Sequence, residues 1–178
     1  LFDLWCLRHK ELNEVVNLKF FNVYGPNEYH KGSMMSMVCR AVPQIRELGR
    51  IRLFKSDHPQ YGDGESLRDF VYSKDCAALM LWFMETPSVN GIFNVGAGKA
   101  RTWNDLARAV FAAMDMEPNI EYFDMPEHLK GKYQYFTEAD MSWMGRENCP
   151  VQFHSLEEGV DDYVRNYLTQ DDPYLCSL

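Results

Sequence analysis

The segment Phe20-Phe21-Asn22-Val23-Tyr24-Gly25-Pro26, followed closely by His30-Lys31-Gly32-Ser33-Met34, constrains the fold most. An apolar, aromatic run enters a Gly-Pro loop that presents Asn27, His30 and Lys31 within a few residues. A buried strand that delivers polar groups into a loop in this way is how an α/β sheet furnishes a pocket at its carboxyl edge.

The rest of the chain supplies elements around such a strand. Residues 1–14 read as an amphipathic helix, Val15 to Val23 as one buried strand, and Tyr24-Gly25-Pro26-Asn27 as a turn. Ser33 is expected to cap a helix running to about Leu48, bent or shortened by Pro43. Short strands follow at Ile51 to Phe54 and Arg68 to Tyr72, with a polar loop from His58 to Ser66 between them. Ser73 is expected to cap a helix over Lys74 to Glu85, which is apolar on nearly every side and so expected to be buried on most faces.

Gly91 to Gly98 reads as a second buried strand ending in a glycine turn, and Ile120 to Phe123 as a further strand. Thr102 with Asp105, and Ser155 with Glu158, have the spacing of capping boxes ahead of helices to Met114 and Tyr167. A short helix is expected over Thr137 to Met144, ended by Gly145. Strands alternating with helices predict an α/β fold with a mostly parallel sheet.

Composition narrows the function classes. At 178 residues with 46% hydrophobic and 14% aromatic content, the chain is long enough for one globular domain with its own core. A net charge of −8 argues against nucleic acid as the main partner, although a few local Lys and Arg can still hold an anionic small molecule. No apolar run approaches a membrane span, and no signal peptide is visible. Cys6, Cys39, Cys76, Cys149 and Cys176 are scattered, without a Cys-x-x-Cys pair, so free thiols in a reducing cytoplasm are expected. The five histidines form no metal spacing with Cys, Asp or Glu, and no metal is expected.

Three motifs in order, Phe21-Asn22-Val23-Tyr24-Gly25-Pro26, Arg68-Asp69-Phe70-Val71-Tyr72 and Phe93-Asn94-Val95-Gly96-Ala97-Gly98, resemble the extended short-chain dehydrogenase/reductase superfamily. More selective stretches are His30 to Met34, Leu53-Phe54-Lys55-Ser56 and Lys130 to Thr137; these resemble the ADP-heptose 6-epimerases within it. The resemblance extends from about Leu1 to Tyr167 and leaves out the tail from Leu168 to Leu178. It implies late strands of a Rossmann-type parallel sheet, about 15–23 and 91–96. It also implies a smaller α/β substrate-binding part over about 24–72 and 100–167. That family's amino-terminal cofactor half, with its glycine loop and Tyr-x-x-x-Lys motif, does not occur in this sequence, which opens at Leu1 as if inside the helix after that Lys.

What the resemblance implies chemically is inversion of a secondary alcohol centre at C6 of an ADP-linked heptose. The route is transient oxidation by NADP and re-reduction on the opposite face, in lipopolysaccharide core synthesis. The alcohol proton must be handled in both orientations, and Lys31 matches the family's second acid/base and a cofactor contact; read alone, a solvated loop lysine beside His30 is the more ordinary account. Asn22, whose amide suits sugar hydroxyls, is implied to bind substrate, with a residue that merely caps the turn as the alternative, and Val23 is implied to touch the cofactor. Ser33 could bind substrate, cap its helix, or both. Arg68 is implied to clamp a diphosphate, with an ion pair to Asp69 as the alternative. Phe54, Lys55, Ser56 and Asp57 correspond to a segment lining the nucleotide, Tyr133 to a substrate tyrosine or a core tyrosine, and Arg40 to a substrate position at which that family often has His.

Two functions of different class therefore stand open. One is an epimerase, or failing that a 4-epimerase or dehydratase acting on another nucleotide-sugar, working as a homo-oligomer. The other is a nucleotide-sugar-binding piece without turnover, as the absent glycine loop and Tyr suggest for this polypeptide by itself.

Overall fold

The computed structural model describes residues 1–174 of the chain; Cys176 and the end of the tail lie outside the described residues. In chain order the elements are α1 Phe2–His9, β1 Val16–Phe20, β2 Asn22–Tyr24, α2 Met37–Leu48, β3 Ile51–Phe54 and β4 Leu67–Tyr72. There follow α3 Ser73–Glu85, β5 Gly91–Val95, β6 Ala100–Thr102, α4 Trp103–Ala113, β7 Ile120–Phe123, α5 Trp143–Arg146 and α6 Leu156–Tyr163. A 3₁₀ segment covers Glu11–Asn13, 3₁₀ turns kinked at Gly32 cover Tyr29–Met34, and a π turn covers Val164–Leu168.

The fold is α/β, and its strand pairs β1–β5, β2–β4 and β3–β7 are all parallel, as the alternation of elements predicts. The expected single strand from Val15 to Val23 is instead two. Phe21 N donates to Val95 O at 2.9 Å while Val23 N donates to Phe21 O at 3.0 Å, a tight turn that moves the chain from β5 to β4 as its partner. The second expected strand stops at Val95, and after Gly98 (φ +71) the chain reverses into β6, which pairs antiparallel with β4. Periodicity gave no sign of this three-residue strand.

Other expectations are corrected. The opening helix ends at His9 because Lys10 adopts the left-handed conformation (φ 62). The helix before Leu48 begins at Met37, not after Ser33: Ser36 is the cap, and its hydroxyl accepts from Cys39 N at 3.3 Å. That helix runs through Pro43 without being shortened. Ser73 is the first residue of α3 and makes no cap; Tyr72 occupies the capping position. The expected helix over Thr137 to Met144 is confined to α5, with Gly145 inside it; Thr137 N instead donates to Leu67 O at 3.1 Å, extending the β4 edge. Both capping boxes form as expected, and the last helix loosens into the π turn after Tyr163.

Two apolar clusters hold the elements. The larger packs α2, α4 and α6 on β2, β3 and β4, with Ile45, Leu106, Phe111, Val160 and Tyr163 fully buried. The smaller gathers Leu79 and Phe83 of α3 with Phe93, Val95 and Trp143, whose rings pack at centroid separations of 4.9 to 5.4 Å. The apolar α3 is not buried on most faces. Its residues at 76, 79 and 83 face this cluster, whereas Met80, Leu81 and Met84 are exposed, since one stripe suffices to cover the adjacent strands. No helix among the described residues is long and apolar enough to cross a membrane.

Candidate active site

A cavity of about 810 Å³ opens beside β2, β3 and β4 and is lined in part by Phe21, Asn22 and Val23, where β2 runs beside β4. Its walls come from segments far apart in sequence: Met34 to Met37 and Arg40 at the start of α2, Phe54 to Ser56 after β3, Trp103 of α4, Phe123 of β7, and Tyr133 with Tyr135. Of the residues singled out from sequence, Asn22, Val23, Arg40, Phe54, Lys55, Ser56 and Tyr133 therefore meet in one cavity. Lys31 and Ser33 do not line it; they are exposed on the 3₁₀ segment whose next residue, Met34, does.

The loop that carries Lys31 is built from unusual backbone. Gly25 sits at φ +149, where a Cβ would fall 1.9 Å from Ser73 Oγ, so only glycine fits. Gly32 (φ 55, ψ −122) breaks the 3₁₀ segment just after Lys31 and turns the chain toward α2. The loop is thus shaped at both ends by residues that serve conformation.

Arg68 is buried, and its guanidinium is committed to the Leu67 carbonyl at 2.8 Å and to the Gln134 carbonyl, with its carbon 5.1 Å from the centre of the Tyr133 ring. It stands behind Tyr133 and outside the cavity wall. Burial pulls its proton affinity down, and the nearby Tyr133 works in the opposite direction. The ion pair with Asp69 does not form. Asp69 is fully buried and accepts instead from the backbone nitrogens of Ala97, Gly98 and Ala139. Asp57 also lies outside the wall, hydrogen-bonded to Tyr135 OH. Lys55 pairs with Asp124 at 3.1 Å, and Ser56 N donates to Asp63 at 2.8 Å, which folds the 56–63 loop back on itself.

Sequence reading named Phe54 and Tyr133 but missed the rings that pack with them. Phe123 packs on Phe54 with ring centres 5.0 Å apart, Tyr133 meets Phe54 edge-on at 6.3 Å, and the Arg52 guanidinium lies 4.4 Å from the Phe123 ring centre. Tyr135 and Tyr61 stack at 5.2 Å, with His58 against both. The alternation Tyr133-Gln134-Tyr135 was the available signal, since it places both rings on one side of an extended segment. Flat rings, the Asn22 amide and the cationic side chains of Arg40, Arg52 and Lys55 in one cavity suit a ligand that combines a planar base, hydroxyls and negative charge. Among the described residues no cluster of His, Cys, Asp and Glu could hold a metal ion.

Known proteins share this fold. The chain is 60% identical over 98% of its length to an ADP-L-glycero-D-manno-heptose-6-epimerase of Nitratidesulfovibrio vulgaris, and 46% identical over 98% to that of Fusobacterium nucleatum. In both cases it covers 54% of the relative, so the chain spans about half the length of the curated relatives it matches. The crystal structure of the Helicobacter pylori ADP-L-glycero-D-manno-heptose-6-epimerase superposes with a TM-score of 0.75 at 27% identity, over 92% of this chain and 48% of that one. A UDP-N-acetylglucosamine 4-epimerase from Methanobrevibacter ruminantium shares the fold, with a TM-score of 0.73 at 24% identity, over 92% of this chain and 49% of that one. The profile described as the NAD dependent epimerase/dehydratase family matches residues 1–96, and the chain belongs to that family.

Proposed function

We propose that the complete protein interconverts the C6 epimers of an ADP-linked glycero-manno-heptose, and that this chain supplies its substrate-binding side and one of two acid/base groups. The observation that carries the reading is the convergence of residues 22–23, 54–56 and 133 on one cavity, in a chain 60% identical to a curated heptose epimerase. The cavity, at about 810 Å³, is within the size range of small-molecule sites and has room for a nucleotide-sugar.

Inverting an unactivated secondary alcohol requires the carbon to become planar and the hydride to return to its other face. A nicotinamide cofactor, NADP in this reading, supplies reversible hydride transfer when bound. This chain's own residues supply the substrate side and one of the two acid/base groups. Val23 presents an apolar face for the nicotinamide in the cavity, and Asn22 orients sugar hydroxyls through its donor and acceptor. Phe54, Phe123 and Tyr133 provide ring faces for the adenine, and Arg40 and Lys55 positive charge for the diphosphate. Lys31, carried on the loop at the cavity's edge with Ser33, takes or returns the alcohol proton in one of the two orientations. Arg68 fixes Tyr133 from behind, and Asp57 holds Tyr135. In this reading the complete protein works as a homo-oligomer. Lipopolysaccharide core synthesis in the cytoplasm is the setting that fits this substrate.

The test is to incubate the complete gene product with ADP-D-glycero-D-manno-heptose and follow the C6 proton by NMR. Appearance of the L-glycero epimer is expected, with turnover lowered about 10²–10⁴-fold by Lys31→Ala while the tightly held cofactor is retained. A protein that binds the nucleotide-sugar but leaves its configuration untouched overturns the reading in favour of a binding function.

A further inference from the structure

We propose that Glu28 is a positioning residue that sets the placement of Lys31 by tying both ends of its loop to the scaffold; the proposal rests on the reading of Lys31 given above. Glu28 is 3% exposed, and its carboxylate has no ion-pair partner among the described residues. It is satisfied by hydrogen bonds alone. Oε2 accepts from Ser36 N at 2.6 Å, and Oε1 accepts from Ser36 Oγ at 2.6 Å, Tyr163 OH at 3.1 Å and Gly25 N at 3.5 Å.

These donors are not a random set. Gly25 is where the chain leaves β2, Ser36 caps α2, and Tyr163 is a fully buried residue of α6. Residues 25–36 thus form a loop whose two ends meet on one carboxylate, and Tyr163 anchors that carboxylate to the larger core. The main chain of Glu28 adds a fourth constraint, because its carbonyl accepts from Lys31 N at 3.0 Å. Lys31 itself is exposed, so nothing in its own side-chain packing fixes where its ammonium points. The fixing must come through the backbone, and Glu28 is the residue that both ends of that backbone contact.

A buried carboxylate without a cation is costly to desolvate, and an apolar side chain would fill the same space at less cost. Its acceptor capacity is what an apolar residue lacks: it gathers three N–H or O–H donors from the loop and one from the scaffold. Glutamine keeps the shape but offers one oxygen and an N–H₂ group, which would confront the Ser36 N–H or the Oε1 cluster with a second donor.

The experiment uses the complete protein carrying Glu28→Gln, read by steady-state kinetics on the ADP-heptose and by amide hydrogen exchange. A displacement near 1 Å at a reacting group is enough for a fall of about 10–100-fold in kcat. That fall is expected with KM for the nucleotide-sugar within about threefold, since Asn22, Phe54 and Tyr133 are held by other elements. Exchange should quicken over residues 27–36 and stay unchanged in α4 and α6. A kcat within about threefold of wild type, a KM that rises as far as kcat falls, or exchange quickened across α4 and α6 alike overturns the proposal. If Glu28→Gln does not fold, Tyr163→Phe removes one donor and is judged by the same criteria. Absence of turnover in the wild-type protein would defeat the functional reading instead, and the exchange arm would still decide whether Glu28 holds the loop.

Discussion

The carboxylate of Asp69 lies 2.6 Å from the backbone nitrogen of Ala97, and the same side chain accepts from Gly98 N at 3.0 Å and Ala139 N at 2.9 Å. One buried side chain on β4 thereby fixes the Gly96-Ala97-Gly98 turn after β5 and the segment that returns from Tyr133. Gly96 is required for this approach, since a Cβ there would fall 2.5 Å from Asp69 Oδ2. Burial pushes the carboxyl up, and the three N–H groups partly offset it. Replacing Asp69 with Asn puts a donor where a donor already points, so we expect a loss of about 2–4 kcal/mol in denaturant unfolding. A loss under about 1 kcal/mol would show that water can replace the carboxylate.

Gly159 lies inside α6, where alanine ordinarily stabilises a helix by nearly 1 kcal/mol. Here an added Cβ would stand 2.2 Å from Tyr24 Oη and 3.2 Å from Tyr72 Cγ, both buried rings. The sign should therefore reverse. Gly159→Ala is expected to destabilise by about 1–3 kcal/mol, measured as a lowered Tm, because the Tyr24–Tyr72 pair must shift. An increase in Tm would mean that α6 can slide away from β2 and β4.

The same contrast explains which features were legible in the sequence. Thr102 with Asp105 and Ser155 with Glu158 could be read correctly because a capping box is closed within four residues. Ser33 and Ser36 could not be told apart in that way. The choice between them depends on the Glu28 carboxylate, bound also by Tyr163 from the far end of the chain, and on the backbone break at Gly32. Asn22, Val23, Phe54, Lys55 and Ser56 were found because they sit in motifs on or just after strands. Phe123 was not, since it meets Phe54 only through the β3–β7 pairing, with partners some seventy positions apart. The all-round apolarity of α3 misled because composition records what a helix could bury, not which neighbours it has.

Acid stability should be set by carboxylates that gain cations or donors on folding. The Arg101 guanidinium holds Glu157 below the usual range. At Asp105, burial alone would raise the pKa, but Thr102 and Arg101 outweigh it. At Asp162, burial is likewise outweighed by Lys74 Nζ at 2.7 Å and Tyr72 OH at 2.5 Å. For each, the folded pKa lies below the unfolded one, so the unfolded chain binds more protons as pH falls. The stabilisation is complete above the unfolded value of about 4 and lost through and below it. The unfolding midpoint should be flat from about pH 7 to 5 and decline below about 4.5, and Arg101→Met should flatten the decline. Asp69, whose pKa is raised, contributes with the opposite sign and blunts the slope. An unchanged acid limb in Arg101→Met would assign the loss to other groups.

Arg68 offers a test of whether its charge or its fork matters. Its two terminal nitrogens reach the carbonyls of Leu67 and Gln134, and its plane lies over Tyr133, so β4 and the Tyr133 segment share one guanidinium. Lysine keeps the charge but presents a single ammonium, which cannot serve two carbonyls in a plane and stack on a ring together. Leu67 O and N hold the neighbouring stretch through Thr137 N and Tyr135 O, so the segment should stay attached while Tyr133 loses its backing. In the complete protein, Arg68→Lys is therefore expected to raise KM for the nucleotide-sugar about tenfold with kcat within about threefold, the pattern of lost uniform binding. A direct diphosphate clamp would act differently, because lysine can still meet a phosphate oxygen as a point charge. KM would then stay near the wild-type value in Arg68→Lys and rise steeply only in Arg68→Met. The two variants together separate a residue that touches the ligand from one that holds the ring touching it.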